Sequence, residues 1–403
     1  MRAPPRRALA ALVALAGACH AGGPPPPRSA GLPAARPASL GFDSTRLGAV
    51  VQYLQGAADS GAFPGAVVAV GRHGRLALLA AVGHYGVADP RPVAPGTIYD
   101  LASLTKVVGL TTACMLLVDE GKLALDAPVE RYVPEFRGAG KAQVTIRLLL
   151  SHAAGLPAWR PLFQETRSRA AALALVDTTP LVTPPGRAAV YSDLGAIVLT
   201  QVVERLAGAP LDRWLAQRVF DPLGMAATRF LPPVSWRDRI APTENDTVFR
   251  HRMLRGEVHD ENAGRLGGVS GHAGLFSNAL DLARFAAMLL NGGAWDTLQL
   301  VRSETVAEFT RRQDLVPGST RALGWDTPPE PPDSNSSAGT ALSARAFGHT
   351  GFTGTSMWMD PEKDLFVILL TNRVHPTRAN TAIRRVRPRV VDLVVAALSH
   401  PEL

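Results

Sequence analysis

The chain has 403 residues, of which 46% are hydrophobic and 19% charged. This composition is typical of a globular protein that buries a large core, and it excludes a disordered or collagen-like chain. The formal net charge is +8, but part of the excess of arginine lies at the two ends, and no basic run is interleaved with aromatic side chains. The charge therefore does not indicate a partner made of nucleic acid.

Residues 1–19 have the pattern of an export signal. Arg2, Arg6 and Arg7 precede the apolar run ALAALVALAGA, which is too short to span a bilayer as a stable helix. The following Ala-Gly-Ala-Cys19 resembles the lipobox of bacterial lipoproteins. We predict a periplasmic or membrane-anchored lipoprotein that meets the membrane only through its signal or a lipid on Cys19. If the cysteine is not modified, cleavage nearby releases a soluble exported protein.

Residues 20–40 are rich in proline, glycine and alanine, a composition typical of an extended tether. The folded domain is predicted to occupy residues 41–403. Only one other cysteine, Cys114, follows Cys19, and it lies in an apolar helical run. We therefore expect no disulfide within the mature chain and a small buried side chain at Cys114.

The first elements of the domain are a helix and a hairpin. A helix over 43–56 has Asp43 or Ser44 as its cap, and apolar strands over 66–70 and 76–82 are separated by a turn containing His73-Gly74. Helical periodicity then runs from position 103 to position 120 and stops at a glycine. After position 126 the sequence changes to helices and proline-rich loops.

Strand patterns return between Phe347 and Arg373, with a turn at 360–362, and an amphipathic helix over 379–398 closes the chain. Strands at both ends with helices between them predict an α+β fold. We expect one antiparallel sheet built from the N- and C-terminal segments, about 41–125 and 305–403, flanked by helices. An all-helical lobe, about 126–304, is inserted between them.

Ser103 and Lys106 stand out because the chain has only four lysines. On a helix, side chains three positions apart share a face, so the hydroxyl and the amine would lie within reach of each other. Ser103 would also lie at the helix N-terminus, where free N–H groups stabilise developing negative charge. A serine needs an adjacent base to become a nucleophile, and a lysine can serve when its pKa is lowered. This spacing alone is weak evidence for a catalytic site, since a Ser-x-x-Lys pattern can easily occur by chance.

Two further motifs follow in order, Tyr191-Ser192-Asp193 before a helix and His349-Thr350-Gly351 at the start of the C-terminal strands. With Ser103 and Lys106, they resemble the serine β-lactamase and penicillin-binding-protein family. The resemblance is closest to class C β-lactamases and to D-alanyl-D-alanine carboxypeptidases of the same type. It covers the chain from about position 42 to the end, including VTIRLLLSHAAGLP (144–157) and GVSGHAGLFSNALDLARF (268–285).

The resemblance implies that Ser103 attacks a carbonyl carbon to form an acyl-enzyme. Lys106 and Tyr191 would share the work of general base and proton shuttle. His349 and Thr350 would bind the substrate carboxylate or orient the tyrosine.

The oxyanion, by the same resemblance, would be held by two backbone N–H groups, those of Ser103 and Phe352. Gly351 permits the close approach that the second of these needs.

Two positions depart from the family pattern. Asp193 stands where asparagine is usual, and its charge would raise the pKa of Lys106, which makes the lysine a worse free base and a better-held cation. His349 replaces the lysine usual in β-lactamases, although histidine is familiar there among the peptidases. Both differences favour a peptidase or esterase over a β-lactamase.

Several other polar residues lie near these motifs or between them in the sequence. Residues 259–272 include two histidines and two acidic residues. We predict that these side chains form hydrogen bonds that shape the loop, and not a metal site. His272 is the best candidate for a supporting role beside the active site. Arg345 could pair with a substrate carboxylate or could be a solvated surface residue. The neighbouring pair Ser151-His152 is interpreted as structural, at most the edge of the cleft, because adjacent side chains point apart.

The sequence thus predicts an exported serine hydrolase that forms an acyl-enzyme at Ser103, a D-alanyl-D-alanine carboxypeptidase without cofactor or metal. Its partners would be D-alanyl peptides, β-lactams or esters. The alternatives are a class C-type β-lactamase, a carboxylesterase of the same family, and a catalytically silent protein that binds cell-wall fragments or β-lactams.

Overall fold

The structure is a computed structural model and describes residues 32–399. The predicted export signal, Cys19 and most of the predicted tether lie outside the described residues. Cys114 is buried, as predicted.

The strands of the described part, in chain order, are β1 (Gly65–Arg72), β2 (Arg75–Gly86), β3 (Asp89–Pro92), β4 (Tyr99–Asp100), β5 (Arg229–Phe230), β6 (Asn245–Asp246), β7 (Arg252–Met253), β8 (Leu275–Ser277), β9 (Ala294–Trp295), β10 (Leu298–Gln299), β11 (Phe347–Thr350), β12 (Ser356–Asp360) and β13 (Leu365–Thr371).

The α-helices of the same part are α1 (Ser44–Asp59), α2 (Thr112–Asp119), α3 (Ile146–Leu150), α4 (Leu162–Glu165), α5 (Arg169–Thr178), α6 (Asp193–Ala207), α7 (Leu211–Leu215), α8 (Glu261–Arg265), α9 (Ala279–Leu290), α10 (Ser303–Thr310) and α11 (Ile383–Ala396). Two π-helical segments extend them, Lys106–Thr111 before α2 and Ala216–Phe220 after α7. Short 3₁₀ turns occur at Pro37–Leu40, Val129–Arg131, Lys141–Gln143 and Val234–Arg239.

One six-stranded antiparallel sheet joins the two ends of the domain, in the order β11-β12-β13-β1-β2-β3. Its centre is the pairing of β1 with β13, in which Val67 lies opposite Leu370 and Ala69 opposite Ile368. This sheet from N- and C-terminal segments confirms the predicted α+β fold. It is buried on both faces, which explains why every residue of β13 is buried.

The two faces of the sheet meet different helices. Alternate residues of β1, such as Val68 and Val70, pack with α1 and α11. Their neighbours Val67 and Ala69 face the opposite way and share a core with α9 and with the helices of the middle of the chain. The strand period of two residues divides the apolar side chains between these cores.

The β1–β2 hairpin forms where the sequence predicts it. His73 and Gly74 have φ angles of 52° and 64°, and positive φ at both central residues is the geometry of the two-residue turns that join strands. The Asp43 side chain accepts hydrogen bonds from the N–H groups of Thr45 and Arg46 and caps α1 as predicted.

The middle of the chain contains short strands as well as helices. The β4, β5 and β8 strands form one small sheet, and β6–β7 and β9–β10 form two-stranded pairs. Each of these strands has only two or three residues, which is too few to produce a visible alternation in the sequence. The domain boundaries near 125 and 304 remain a prediction, because α9 packs directly on β1 and β13.

Between residues 32 and 399, no helix taken alone has both the length and the apolar character needed to cross a membrane. The α6 helix and Leu211–Phe220 meet that test only when they are taken together, as a pair bent by 67°, and then by length and composition alone.

Candidate active site

Ser103 lies in the turn that follows β4, immediately before the π-helical segment. The turn is fixed by the buried Asp100, whose carboxylate accepts hydrogen bonds from the N–H groups of Ala102 at 2.8 Å and His259 at 2.6 Å. Ala102 has a φ of 46°, a left-handed conformation that a residue with a side chain rarely adopts. The sharp turn places the half-buried Ser103 at the helix start, as predicted, and such strain is common at functional sites.

Lys106 lies one turn after Ser103 and is 3% exposed. Its Nζ donates to Ser103 Oγ at 3.0 Å and to the backbone carbonyl of His272 at 3.0 Å. The same nitrogen lies 2.6 Å from Asp193 Oδ1, in an ion pair whose carboxylate side is 18% exposed. One ammonium group thus joins the serine hydroxyl to a carboxylate.

Tyr191 completes this group of polar side chains. It precedes α6, whose cap Ser192 accepts from the N–H of Gly195 at 3.3 Å, so the helix start fixes both the phenol and Asp193. The Lys106 ammonium lies 4.9 Å from the centre of the Tyr191 ring. The distant residues of the Ser-x-x-Lys and Tyr-Ser-Asp motifs therefore meet in one pocket, as the sequence predicts; their catalytic roles remain a prediction.

Burial and nearby charges determine the protonation states of Lys106 and Tyr191. Burial disfavours the Lys106 cation, but the charge of Asp193 and the hydrogen bonds with Asp193 and Tyr191 outweigh it, so the pKa of Lys106 is raised above its usual value. Burial also raises the pKa of the Tyr191 phenol, and the nearby lysine only partly offsets it. At neutral pH the group therefore contains a protonated lysine and a neutral tyrosine. The effect of Asp193 on Lys106 is in the predicted direction.

His349, at the end of β11, is almost fully buried beside Tyr191, with 5.7 Å between the ring centroids. Its Nδ1 lies 2.8 Å from the carbonyl oxygen of Thr350, and because a carbonyl only accepts, Nδ1 carries the proton. Nε2 is then an acceptor, and it is buried without a hydrogen-bond partner among residues 32–399. Burial, together with the positive charges of Arg321 and Lys106, lowers the pKa of His349 to about 4, although Asp326 opposes the shift.

A neutral imidazole that offers an acceptor is poorly suited to bind a carboxylate. Of the two roles that the sequence left open for His349, the geometry favours orienting a hydroxyl donor over holding an anion.

The oxyanion loop, residues 351–355 between β11 and β12, lies directly against the Ser103 turn. Thr353 Oγ1 donates to the carbonyl of Asp100 at 2.7 Å, and Thr355 Oγ1 donates to that of Leu101 at 3.0 Å. A Cβ on Gly351 would overlap the Leu101 carbonyl oxygen, so only glycine allows this approach. The loop thereby packs against the two residues that begin the Ser103 turn.

Neither of these two N–H groups donates a hydrogen bond to an acceptor in the described part of the chain. An oxyanion requires two backbone N–H groups that are free of other acceptors. The assignment of this pair as an oxyanion hole remains a prediction.

The Phe352 side chain forms an aromatic surface at the mouth of the site. It is 49% exposed. Its ring stacks with the His259 ring, with centroids 5.6 Å apart, and the Arg373 guanidinium lies 4.3 Å from its centre. His259 is in turn held by Glu244 at 2.8 Å. The ring is therefore fixed in orientation while it stays open to a ligand.

The loop between β7 and β8 is shaped by hydrogen bonds. His272 is 1% exposed, its Nδ1 pairs with Ser270 Oγ at 2.8 Å and its Nε2 with Asp260 Oδ1 at 2.9 Å. The carbonyl of His272 in turn accepts from Lys106, so this loop supports the lysine. Among residues 32–399, no three histidine, cysteine or acidic side chains are grouped so that they could hold a metal ion.

Two residues beside Tyr191 were not singled out as site residues by the sequence. The Arg321 guanidinium lies 5.0 Å from the centre of the Tyr191 ring, and the His152 ring lies 4.6 Å from it. His152 Nδ1 accepts from the N–H of Ser192 at 3.2 Å, whereas its neighbour Ser151 donates to the carbonyl of Arg147 and points elsewhere. No motif marks Arg321, and His152 was interpreted as structural, because both residues reach the site only through the fold.

Arg345 does not join this group by any contact. It is exposed in the turn before β11, and within the described chain it makes no hydrogen bond or ion pair. Its predicted part in binding a carboxylate stays untested.

Comparison with known proteins supports a common origin. The sequence model of the Beta-lactamase family matches residues 50–390. A protein of Salmonella agona (strain SL483) named "Putative D-alanyl-D-alanine carboxypeptidase" is 34% identical over 390 residues, covering 87% of this chain and 88% of its own.

The fold is also shared with solved structures. A penicillin-binding protein homolog from Caulobacter crescentus has a TM-score of 0.70 and 23% identity over 89% of this chain and 99% of its own. A β-lactamase/D-alanine carboxypeptidase from Pseudomonas syringae has a TM-score of 0.70 and 20% identity over 87% and 98%. At these identities the likeness shows the fold alone.

Proposed function

The chain belongs to the β-lactamase family of serine hydrolases, and from this premise we propose that it is a D-alanyl-D-alanine carboxypeptidase that forms an acyl-enzyme at Ser103. The single observation that carries the proposal is the contact of one buried ammonium, Lys106 Nζ, with Ser103 Oγ at 3.0 Å and with Asp193 Oδ1 at 2.6 Å. The lysine, as proton carrier, thus contacts both the nucleophile and a proton acceptor.

The resting protonation state determines how the serine is activated. Lys106 is already a cation and cannot accept a proton directly, but it can pass one to Asp193 while it takes the proton of Ser103. The serine oxygen attacks the carbonyl carbon, and the free N–H groups of Ser103 and Phe352 stabilise the resulting oxyanion. Tyr191, whose ring centre lies 4.9 Å from the Lys106 ammonium, delivers a proton to the leaving amine. Lys106 then reprotonates the phenolate and recovers a proton from Asp193, and water releases the acyl group through the same relay.

The proposed substrate class rests on the relatives and on the departures from the β-lactamase pattern. The Salmonella agona protein carries the carboxypeptidase name, and the pair Asp193 and His349 differs from the residues usual in β-lactamases. An esterase is the second candidate, because the buried His349 presents no cation to a substrate carboxylate.

Covalent labelling tests the acyl-enzyme. A fluorescent penicillin is expected to label the protein, and Ser103→Ala is expected to abolish the label without changing the melting temperature much. Ser151→Ala is a matched control, since Ser151 Oγ donates to the Arg147 carbonyl and lies in another turn. Labelling that survives in Ser103→Ala would overturn the assignment of the nucleophile.

Hydrolysis measured side by side tests the substrate class. A D-Ala-D-Ala peptide should be hydrolysed with the highest kcat/KM, a p-nitrophenyl ester with a lower value, and nitrocefin only weakly. Faster ester than peptide hydrolysis would favour the esterase, and rapid nitrocefin turnover would identify a β-lactamase. Binding without any acylation would instead favour the catalytically silent alternative.

Export and lipidation of Cys19 form a separate part of the proposal, supported by the sequence pattern of residues 1–19. Expression in a bacterium fed a labelled fatty acid is expected to give a labelled membrane-bound protein, and Cys19→Ser should lose the label. Label retained in Cys19→Ser would refute lipidation at this residue.

A further inference from the structure

The oxyanion loop is held from behind by two arginines. Arg373, just after β13, donates from Nε to the carbonyl of Phe352 at 2.7 Å. Arg387, on α11, donates from one nitrogen, Nη2, to the carbonyls of Gly351 and Thr355. The C-terminal helix therefore reaches through to the loop that carries the N–H of Phe352.

Both guanidinium groups bond carbonyl oxygens instead of carboxylates. All hydrogen bonds of Arg373 and Arg387 within residues 32–399 go to backbone carbonyls, and neither forms an ion pair there. Burial lowers the pKa of Arg387 to about 9, and the charge of Arg373 adds to this shift. At neutral pH Arg387 is thus still a cation, held without a counter-ion at the back of the active site.

The contact of Arg387 with Gly351 differs from that of Arg373 with Phe352 in the peptide unit whose carbonyl accepts the hydrogen bond. The carbonyl of Gly351 and the N–H of Phe352 are the two ends of one planar, conjugated amide. A cation bonded to the oxygen draws electron density from the nitrogen, so the N–H at the other end becomes a stronger donor. Arg373 bonds the next carbonyl, that of Phe352, whose amide ends at the N–H of Thr353.

We propose that Arg387 is a positioning residue that strengthens the oxyanion hole by polarising the Gly351–Phe352 peptide. This inference rests on the proposed acyl-enzyme function and adds to it a residue about 280 positions after the serine, on an element outside the catalytic motifs. Arg373 anchors the same loop without this effect and serves as the matched comparison.

The test measures the carbonyl itself. Native protein and variants are acylated with p-nitrophenyl acetate carrying ¹³C at the carbonyl, and the stretching frequency of the acyl-enzyme is read by infrared difference spectroscopy. A hydrogen bond from the oxyanion hole lowers this frequency. Variants are Arg387→Met, which removes charge and contact, Arg387→Gln, which can keep a neutral donor, and Arg387→Lys, which keeps the charge; Arg373→Met is the control.

We expect Arg387→Met to raise the carbonyl frequency and to lower the rate of acylation about 10-fold, less than the loss of a whole oxyanion donor. Arg387→Lys should recover most of both effects and Arg387→Gln little. Arg373→Met should lower the melting temperature but leave the frequency near the native value. If Arg387→Met does not fold, the Lys and Gln variants alone decide between charge and tethering.

Three results would overturn the inference: no change of frequency in the Arg387 variants, an equal change in Arg373→Met, or equal recovery by Gln and Lys. Each of these leaves the acyl-enzyme itself intact. Failure of the native protein to form any acyl adduct would instead remove the proposed function, and the two failures are therefore distinguishable.

Discussion

The two walls of the active site carry positive charge in different ways. On the helix wall, formed by Ser103, Lys106, Tyr191 and Asp193, the buried cation is paired with a carboxylate at 2.6 Å. On the strand wall, formed by residues 349–355, the cations behind the loop bond only to carbonyl oxygens. A paired cation can pass a proton to its partner, whereas an unpaired one creates a fixed positive potential. The helix wall is therefore suited to proton transfer and the strand wall to stabilising an anion.

The largest expected effect comes from breaking the pair on the helix wall. Lys106→Met should lower kcat/KM by about 10³-fold or more, because the serine loses its base. It should also lower the free energy of unfolding by about 2 kcal/mol, because the partly buried Asp193 carboxylate loses its cation. Kinetics and denaturant titration check both.

Lys141 offers a matched control, since it is another buried lysine, bonded to the carbonyl of Asp177 and distant from the motifs in sequence. Lys141→Met should lower stability but leave the kcat/KM of the folded protein nearly unchanged. Activity retained in Lys106→Met would contradict the helix-wall assignment.

The buried His349 on the strand wall should make the stability of the folded protein depend on pH in the acid range. Burial lowers the pKa of His349 to about 4 in the folded chain, whereas a histidine in an unfolded chain has its ordinary pKa of about 6.5. As the pH falls from about 6.5 to about 4, the unfolded chain binds a proton that the folded one does not, so stability is lost in this window. The loss is on the order of 3 kcal/mol, since each pKa unit corresponds to about 1.4 kcal/mol.

His349→Gln should remove this part of the acid dependence, as measured by urea titrations at several pH values. His84→Gln, at an exposed position on β2, reports what loss of an imidazole does by itself. An unchanged pH dependence in His349→Gln would show that the burial of this imidazole does not control acid stability.

A smaller change sharpens the role of the ion pair. Asp193→Asn removes the carboxylate that takes the proton of Lys106. The substitution also lowers the pKa of the lysine, because the negative charge beside it is lost. We expect kcat/KM near pH 7 to fall about 10-fold, a loss of about 1.4 kcal/mol of transition-state stabilisation. The rate should then rise with pH as the free amine forms. A variant as active as the native protein at pH 7 would exclude the relay through Asp193.

The smallest effect is expected at the mouth of the site. Phe352→Ala keeps the backbone N–H and removes an exposed ring, so kcat/KM should fall only about threefold, mainly through KM, and stability should change by about 0.5 kcal/mol. Leu315→Ala, at another exposed apolar position, should change neither. A loss of kcat as large as in Lys106→Met would mean that the ring positions the oxyanion loop.

Much of the fold follows from local patterns in the sequence. The cap at Asp43, the turn at His73-Gly74 and the apolar alternation of the long strands each depend on neighbouring residues, and the structure contains all three. The short strands β5 to β10 were missed, because segments of two or three residues are too short to show an alternation in the sequence.

The sequence by itself also determined that Ser103 and Lys106 share one face, since side chains three positions apart on a helix do so whatever surrounds them. Tyr191 and Asp193 were placed on the same wall only by the resemblance of their motif to the family. Only the tertiary structure decided what lies around that wall. Arg321 and His152 reach Tyr191, and Arg387 reaches Gly351, through contacts between distant segments. Such contacts leave no periodicity or spacing in the chain. The physical reason is that motifs encode local geometry, whereas burial and unpaired charge exist only once the segments have packed.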